Sequence, residues 1–407
     1  METLLRDVWK QYLNIIKNLF MEIKQFQYKA NKICTRCIMD DTVQGITFDE
    51  NGECTFCKIH DELEVKFPLN EHTTKELEHL ITKIKKDGKG KRYDCVLGVS
   101  GGRDSTYTLY TAVKMGLRPL AVHFDNGWNS DLAVQNIKNV CKKLNVELYT
   151  HVADWEEFKD MQRAFLKASV PDAEVPTDWV IFSVLFKAAN DEGVKYIIHG
   201  HSFRTEGTTP LTWTYMDGKY VNYIQKHFGT RKIKSFPVMN MFNYLYYTFI
   251  KKIVQVRLLY YIPYDENVIL EMLTNEVGWQ SYGGKHHESK YTGFFQSFIL
   301  PRKFNIDKRK LHYSSLIRSG QLSRDTALEK VHIDPYIGGN ETLEYCLKKL
   351  DFTHQEFEAI MNGKPKLFLD YKSYYSLVRS IEKPIKWGTK IGVIPDTVYR
   401  KFFKFNI

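Results

Sequence analysis

The sequence lacks a hydrophobic run long enough to cross a membrane, which takes about 18 apolar residues. The nearest candidate, residues 242–262, is interrupted by Lys251, Lys252 and Arg257. We expect this segment to pack against another domain or subunit, with contact to a membrane surface as the alternative, and not to span a bilayer. The first 20 residues carry scattered charges and no small-residue cleavage site, which predicts a cytoplasmic protein without a signal peptide.

The sequence also lacks two familiar catalytic signatures. The Walker pattern G-x-x-x-x-G-K-[ST] is absent, which excludes that type of phosphate loop. None of the seven cysteines stands on a glycine-flanked turn of the kind that a triad-type glutaminase needs. Internal repeats and low-complexity segments are absent too, which excludes a repeat architecture.

What is present is a long, basic, globular chain. It has 407 residues, 43% of them hydrophobic, with 58 Lys and Arg against 48 Asp and Glu and a net charge of +10. This length favours two or three modules. The positive charge favours an anionic partner, such as nucleic acid, an anionic membrane or a phosphorylated small molecule.

Short apolar strands alternate with helical patterns after residue 93, which predicts an α/β fold with a parallel sheet covered by helices on both faces. Ligands of such sheets bind beyond the carboxyl ends of the strands. The predicted strands are residues 93–99, 118–124, 146–152 and 195–200. The chain divides into an amphipathic helix (1–30), a cysteine-rich module (31–62), a helix with a basic linker (63–92), the α/β domain (93–300) and a helical C-terminal region (301–407).

The stretch SGGRDS lies between the first predicted strand and its helix. Its glycines allow close approach of a ligand, and the N–H groups at a helix start bind anions. The stretch resembles the PP-loop, S-G-G-x-D-S, of the ATP pyrophosphatase superfamily, which implies ATP and Mg²⁺ as cofactors. An ordinary glycine turn before a capped helix is the alternative. The residues concerned are Ser100, Gly101, Gly102, Arg103, Asp104 and Ser105.

Two other segments follow the second and fourth predicted strands. In the superfamily that the loop resembles, the first of them cradles adenine and ribose, and the residues at those positions are Phe124, Asp125, Asn126 and Gly127. The second, GHSFRTEG, begins with Gly200 and His201 on the ligand side of the sheet. A capped turn and a polar loop are the alternative interpretations.

Four of the cysteines form two C-x-x-C pairs, namely Cys34, Cys37, Cys54 and Cys57. Two such pairs complete a tetrahedron, which predicts a structural zinc site because no position is left open for a substrate. An iron–sulfur cluster is the main alternative, followed by disulfides. The isolated Cys95, Cys141 and Cys346 are expected to be ordinary core or surface residues.

A dense cationic and aromatic stretch covers residues 278–329. Lys285, His286, His287 and Glu288 follow two glycines, and Arg302 opens a second basic cluster that extends to residue 309. Convergent cations between aromatic side chains suit a phosphate-bearing ligand in a cleft. Salt bridges between the sheet and the C-terminal helices are the alternative. Adjacent histidines point apart, so we do not expect them to bind a metal together.

Taken together, the chain resembles the N-acetyl sugar amidotransferases of bacterial surface-polysaccharide and lipopolysaccharide O-antigen biosynthesis. The resemblance runs from about residue 31 to about residue 335. It implies a Rossmann-like, adenine nucleotide alpha hydrolase-like domain with a zinc-ribbon-like module before it. The motifs that carry it are the cysteine pairs, SGGRDS, HFDNGW, GHSFRTEG, WTYMDGKY, YGGKHHES, LPRKFNIDKR and LIRSGQ.

The resemblance implies that ATP adenylates the acetamido oxygen of a nucleotide-linked sugar and that ammonia then displaces AMP to form an acetamidino group. It also implies that a separate glutaminase and a cyclase-like subunit supply the ammonia, with no nucleic acid involved. We expect Asp104 at the nucleotide, Lys285 or Arg302 on the adenylate phosphate, and a base for ammonia among His286, His287 and Glu288.

Three other functions share many of these residues. Amidation of a sugar carboxylate would use the same adenylation chemistry. A PP-loop enzyme that modifies tRNA would suit the basic charge, although Phe203, Arg204 and Thr205 break the G-H-x-x-D-D pattern that such enzymes often carry. A nucleotide-sensing or zinc-bearing scaffold would need no catalytic cluster.

Overall fold

A computed structural model describes residues 30–281, 288–390, 394 and 396–403. The N-terminal helix predicted over residues 1–30 lies outside these residues except for its last position. Three of the predicted catalytic residues, Lys285, His286 and His287, also lie outside them.

Five parallel strands form one sheet in the order β3-β2-β1-β4-β5. Its centre is apolar on both faces, with Val96 and Leu97 of β1 fully buried, as expected for a parallel sheet. Val96 pairs with Leu120 on one side and with Ile197 on the other. The strands are β1 (Cys95–Gly98), β2 (Pro119–Asp125), β3 (Leu148–Val152), β4 (Tyr196–His199) and β5 (Val254–Arg257).

Helices cover both faces of the sheet, and the four predicted strands are confirmed. Polar caps start several helices. Ser130, for example, accepts a hydrogen bond from the N–H of Ala133. The helices up to the fifth strand are α1 (Thr55–Lys66), α2 (Glu71–Asp87), α3 (Arg103–Lys114), α4 (Asp131–Lys143), α5 (Trp155–Lys167), α6 (Val175–Asp191), α7 (Gly218–Phe228) and α8 (Met241–Leu245).

The described residues after β5 are helical, which includes the region from residue 301 onward that was predicted to be so. Its helices are α9 (Glu266–Val277), α10 (Lys290–Phe294), α11 (Leu300–Phe304), α12 (Lys308–Arg318), α13 (Arg324–His332), α14 (Gly339–Lys349), α15 (His354–Asn362), α16 (Tyr375–Ser380), α17 (Glu382–Lys390) and α18 (Asp396–Phe403). Short π-helical turns cover Tyr246–Ile250 and Phe295–Ile299, and 3₁₀ turns cover Leu258–Tyr260 and Phe368–Asp370.

The segment at 242–262 is not one long helix. It runs from α8 through the π-helical turn into β5, which pairs with β4 at the edge of the sheet. Its second half packs within the sheet domain, where Val256 and Leu258 are buried. Packing against another domain or subunit stays a prediction. No helix in the described part of the chain is long and apolar enough to cross a bilayer.

Two hydrophobic cores flank the sheet. The smaller one packs α2, α3, α4 and α9 against one face. The larger one packs α5 and α6 against the other face and continues without a break into the cysteine module and the C-terminal helices. The cysteine module and the C-terminal region therefore share a core with the sheet.

Candidate active site and cysteine cluster

A cavity of about 480 Å³ opens at the carboxyl edge of the sheet. The ends of three central strands form its floor, at Gly98, Phe124 and His199. This is the edge at which parallel α/β sheets bind ligands, and the volume lies within the range of small-molecule sites.

The SGGRDS loop forms one wall of the cavity through its two serines. The N–H of Ser100 donates to Ser105 Oγ over 3.2 Å, and the N–H of Gly102 donates to Ser100 Oγ over 3.2 Å. Ser105 Oγ donates to the carbonyl of Gly102 over 3.0 Å. These bonds hold both hydroxyls at the cavity surface, with Ser100 before α3 and Ser105 in its first turn. The loop is therefore shaped for an anionic group at a helix N-terminus.

The loop glycines serve close packing within the protein. Gly101 has φ +79°, and a Cβ there would lie 2.3 Å from the carbonyl oxygen of Ala133. A Cβ on Gly200 would lie 3.1 Å from the backbone nitrogen of Ser105. A side chain at Gly101 would collide with the backbone of α4. The glycine is therefore needed for packing within the protein as well as for the ligand approach that its sequence context suggested.

Arg103 and Asp104 contact α9 and the turn before it. The hydroxyl of Tyr264 donates to Asp104 Oδ1, and Arg103 Nη2 lies 2.6 Å from Glu266 Oε1. Burial, followed by the charge of Asp104, holds the pKa of Tyr264 well above its usual value, so the phenol keeps its proton. The part that Asp104 plays toward Mg²⁺ stays a prediction.

The residues predicted around the nucleoside divide into two groups. Phe124 and Asn126 line the cavity, and Asn126 Nδ2 donates to Thr177 Oγ1 over 3.2 Å. Asp125 and Gly127 shape the turn instead, because Asp125 Oδ1 accepts from the N–H of Gly127 over 2.9 Å.

His123 is a cavity residue that the sequence analysis did not single out, although it belongs to the quoted HFDNGW motif. Its Nδ1 lies 3.0 Å from the carbonyl oxygen of Val99, and its Nε2 lies 3.1 Å from Asn129 Nδ2. Burial lowers the pKa of His123. The ring is therefore neutral, with a proton on Nδ1 and an acceptor at Nε2.

Gly200 and His201 lie on the cavity surface, and their contact with a nucleotide stays a prediction. His201 Nε2 lies 3.1 Å from the carbonyl oxygen of Gly207, and its Nδ1 lies 3.3 Å from the hydroxyl of Tyr260. These bonds fix the ring beside Glu206, whose Oε2 lies 3.8 Å away.

A charged group of the cavity comes from the basic cluster that the sequence analysis placed at residues 302–309. Lys308, on α12, lies 3.2 Å from Glu174 Oε2 at the start of α6. Gln296 Nε2 donates to the same oxygen over 2.7 Å. His312 follows one turn after Lys308 and places Nδ1 2.7 Å from the carbonyl oxygen of Thr205. His312 was not singled out, and its i, i+4 spacing from Lys308 within FNIDKRKLH is the sequence feature that could have revealed it.

The dense stretch reaches the cavity at Glu288. The carbonyl of this residue accepts from the N–H of Ser130 over 2.8 Å, which ties it to the start of α4. Its role as a base stays a prediction.

The structure corrects the expected position of Arg302. Its guanidinium lies 2.5 Å from Asp334 Oδ2 and 4.5 Å from the ring centroid of Phe298, and it is not among the described residues that line the cavity. Arg302 therefore stabilises the packing of the C-terminal helices. Local charge density did not reveal this, because it does not tell which way a helix faces.

The four predicted cysteine ligands come together. All four are fully buried, and their sulfur atoms lie within 4.8 Å of one another. The Cys34–Cys57, Cys37–Cys54 and Cys54–Cys57 sulfurs are 3.8, 3.7 and 3.7 Å apart. Tetrahedral ligands at about 2.3 Å from a zinc ion would be about 3.8 Å apart. The donor set therefore fits one tetrahedral metal ion.

Helices α12 and α13 hold the cysteine cluster in place. Lys310 Nζ lies 2.6 Å from Asp40 Oδ2, and both side chains are buried. Arg324 donates to the carbonyls of Cys34 and Cys37 over 3.0 and 3.2 Å. Since α12 also carries Lys308 and His312, one helix connects the cysteine cluster with the cavity.

Two family models match parts of the chain. Residues 94–203 match the model described as queuosine biosynthesis protein QueC. Residues 288–384 match the model described as LPS biosynthesis protein WbpG-like, C-terminal domain. The first match contains the SGGRDS loop and β1 to β4, and the second contains Glu288 and α10 to α12.

An uncharacterized protein of Methanocaldococcus jannaschii is 31% identical over 172 residues, which are 41% of this chain and 58% of that protein. The chain thus spans little more than half the length of this curated relative.

Among solved structures, the NH3-dependent NAD synthetase of Campylobacter jejuni is 18% identical, covers 38% of this chain and 72% of its own, and has a TM-score of 0.26. The U34-tRNA thiolase NcsA of Methanococcus maripaludis with its [4Fe-4S] cluster is 15% identical, covers 76% and 93%, and has a TM-score of 0.30. Likenesses of this size carry no functional argument.

The two family matches, the parallel sheet with its phosphate loop, and the four-cysteine cluster agree with the resemblance found in the sequence. The chain therefore combines a QueC-like segment that carries the SGGRDS loop with a segment similar to the WbpG-like C-terminal domain of LPS biosynthesis.

Proposed function

We propose that this protein uses ATP to activate the acetamido group of a nucleotide-linked N-acetyl sugar and replaces its oxygen with ammonia. One observation supports this most strongly: a single cavity is lined both by the QueC-like segment, at Ser100 and Ser105, and by the WbpG-like segment, at Glu288, Lys308 and His312. ATP and a second substrate can therefore meet in one site.

The loop side of the cavity suits the nucleotide. The two serine hydroxyls and the start of α3 face the phosphates in this proposal, and Phe124 with Asn126 faces the base and ribose. Mg²⁺, held through Asp104, would neutralise charge on the phosphates.

The opposite side suits an anionic, hydroxyl-bearing ligand. Lys308 and Glu174 offer a donor and an acceptor at 3.2 Å from each other, and Trp213 supplies an aromatic wall. Sugar hydroxyls and a diphosphate bridge match this mixture of polar groups and aromatic surface.

In the first step, the acetamido oxygen bonds to the α-phosphorus of ATP, and the bond to pyrophosphate breaks. In the second, ammonia attacks the imidate carbon, loses a proton to a base, and expels AMP. Among the described candidates for this base, Glu288 lies at the cavity. A proton acceptor here contributes typically about 10²- to 10⁴-fold in rate.

The source of ammonia is the next question, because a glutaminase of the triad type needs a reactive cysteine. The three cysteines outside the cluster are buried, and burial raises the pKa of Cys141 to about 11 and that of Cys346 to about 12. We propose that ammonia comes from a separate glutaminase with a cyclase-like subunit, that the cysteine cluster holds zinc in a structural role, and that the protein works in the cytoplasm.

The proposal is tested by measuring pyrophosphate release from ATP with free ammonium and a set of nucleotide-linked N-acetyl sugars. Release should require one of these sugars, and Lys308→Met should lower it by about tenfold or more because a charge-assisted contact is lost. Arg302→Met is the matched control, since this cation lies outside the cavity lining, and it should lower the melting temperature with turnover retained.

Two results would contradict the proposal. Release that needs tRNA in place of a sugar would favour the tRNA-modifying alternative. Release that needs a sugar carboxylate would favour carboxylate amidation by the same cavity.

A further inference from the structure

The helix before β5 carries an exposed apolar stripe that the proposed reaction does not use. Phe242, Leu245, Tyr246, Phe249 and Ile250 are 79, 40, 43, 43 and 68% exposed. They follow one another at i, i+3, i+4, i+7 and i+8, which is the spacing of one face of a helix. We call these five residues the α8 stripe.

The opposite side of the same helix is firmly packed. Tyr244 lies against Phe182 and Phe186 of α6 with ring centroids 6.0 and 5.8 Å apart, and Tyr247 stacks on Phe186 at 5.8 Å. The α8 stripe is therefore displayed by a helix that is anchored to the sheet domain. At about 1.5 Å per residue, the stripe extends over about 12 Å.

Positive charge borders the stripe. Lys251 and Lys252 follow it directly and are exposed, and no ion pair of theirs with an acidic side chain occurs among the described residues. Between Asp217 and Asp265 the sequence has no Asp or Glu and eight Lys or Arg residues. The chain segment that contains the stripe therefore brings positive charge and no acidic side chain of its own.

We propose that the α8 stripe docks the protein on an anionic phospholipid membrane, with the aromatic and aliphatic side chains entering the headgroup boundary and the lysines contacting lipid phosphates. An amphipathic helix with Phe and Leu on one side and Lys beside it has the chemistry of an interfacial anchor. The sequence analysis favoured packing against protein for residues 242–262, and the exposure of the stripe favours its alternative, contact with a membrane surface.

A second copy of the chain fits this surface less well. A symmetric dimer through the stripe would bring together two like surfaces that are both bordered by lysines, and each copy has a net charge of +10. A membrane supplies the negative charge that such a dimer lacks.

The test is flotation of the full chain with vesicles of phosphatidylcholine alone and of phosphatidylcholine mixed with phosphatidylglycerol. Binding should require the anionic lipid. Lys251→Glu with Lys252→Glu should weaken it by about tenfold or more, since each lysine near an anionic surface contributes about fivefold. Phe242→Ser with Phe249→Ser should remove the part of the binding that persists in high salt.

Ile337→Ser is the matched control, because Ile337 is also an exposed apolar side chain, at 77%, and does not belong to the stripe. It should bind vesicles as the unmodified protein does, and all variants should keep their melting temperature and their pyrophosphate release.

Equal binding by the Phe242→Ser, Phe249→Ser variant and the unmodified protein would overturn the proposal. An absence of vesicle binding by the unmodified protein would also overturn it. The same holds if the main effect of the Phe242→Ser, Phe249→Ser variant is a loss of self-association or of binding to a partner protein. Since pyrophosphate release is read separately, failure here leaves the proposed reaction untouched.

Discussion

At the scale of single residues, Gly101 and Gly90 make a matched pair, because both have φ +79°. A Cβ on Gly90 meets nothing within 4 Å, whereas one on Gly101 meets the carbonyl of Ala133. Gly90→Ala should cost about 1–2 kcal/mol of backbone strain, and Gly101→Ala about 1–3 kcal/mol more for overpacking. Urea unfolding measures both. Equal stability of the two variants, with ATP binding lost only in Gly101→Ala, would show that the ligand alone requires the glycine.

His199 is the residue whose titration should affect stability. Burial, aided by Arg257, lowers its pKa to about 4, while an unfolded histidine titrates near about 6.5. The folded state therefore binds fewer protons than the unfolded state between these values, so stability should fall as the pH is lowered from about 6.5 toward 4. Melting temperatures across this range should fall less steeply for His199→Gln. Identical slopes in the two proteins would disprove the assignment.

The sequence predicted those parts of the site whose residues lie close together along the chain. Ser100 and Ser105 are five positions apart, and each cysteine pair spans four, so their spacing already dictates their geometry. Lys308, Glu174 and His123 come from three different elements, and only the folded chain brings them together. The same limit explains why Arg302 was expected at the cavity. Its side chain is held by Phe298 and Asp334, and the local sequence does not reveal these contacts.

At the scale of elements, α12 connects two sites. Lys310 and Arg318 contact the cysteine module, with Arg318 Nη1 3.6 Å from Cys37 Sγ, while Lys308 and His312 line the cavity. Loss of the metal should therefore disturb both stability and catalysis.

Cys34→Ser should remove the metal and lower the melting temperature strongly, because metal binding and folding of such a module are coupled. Cys141→Ser is the control, since Cys141 is buried on the other face of the sheet. Elemental analysis should find one zinc ion per chain in the unmodified protein and in Cys141→Ser. Iron in place of zinc, or a metal-free Cys34→Ser protein of normal stability, would argue against this account.

The parallel sheet was largely predictable, because apolar strands such as CVLG and YIIH stand between clear turn residues. Strand β5 was not, since VQVR follows a helix rich in aromatic residues and is only four residues long. Its place in the sheet depends on pairing with β4, which local propensity does not reveal.

At the scale of the whole molecule, the PP-loop domain, the WbpG-like region and the cysteine module share one continuous core. The central claim is that this assembly transfers oxygen from an acetamido group to AMP. A nucleotide-linked N-acetyl sugar carrying a heavy-oxygen label in that group should be incubated with ATP, ammonium and the protein, followed by mass spectrometry of AMP and sugar. The account predicts labelled AMP and a sugar that has exchanged its labelled oxygen for an NH group. Unlabelled AMP, formed together with a sugar that keeps its label, would contradict it.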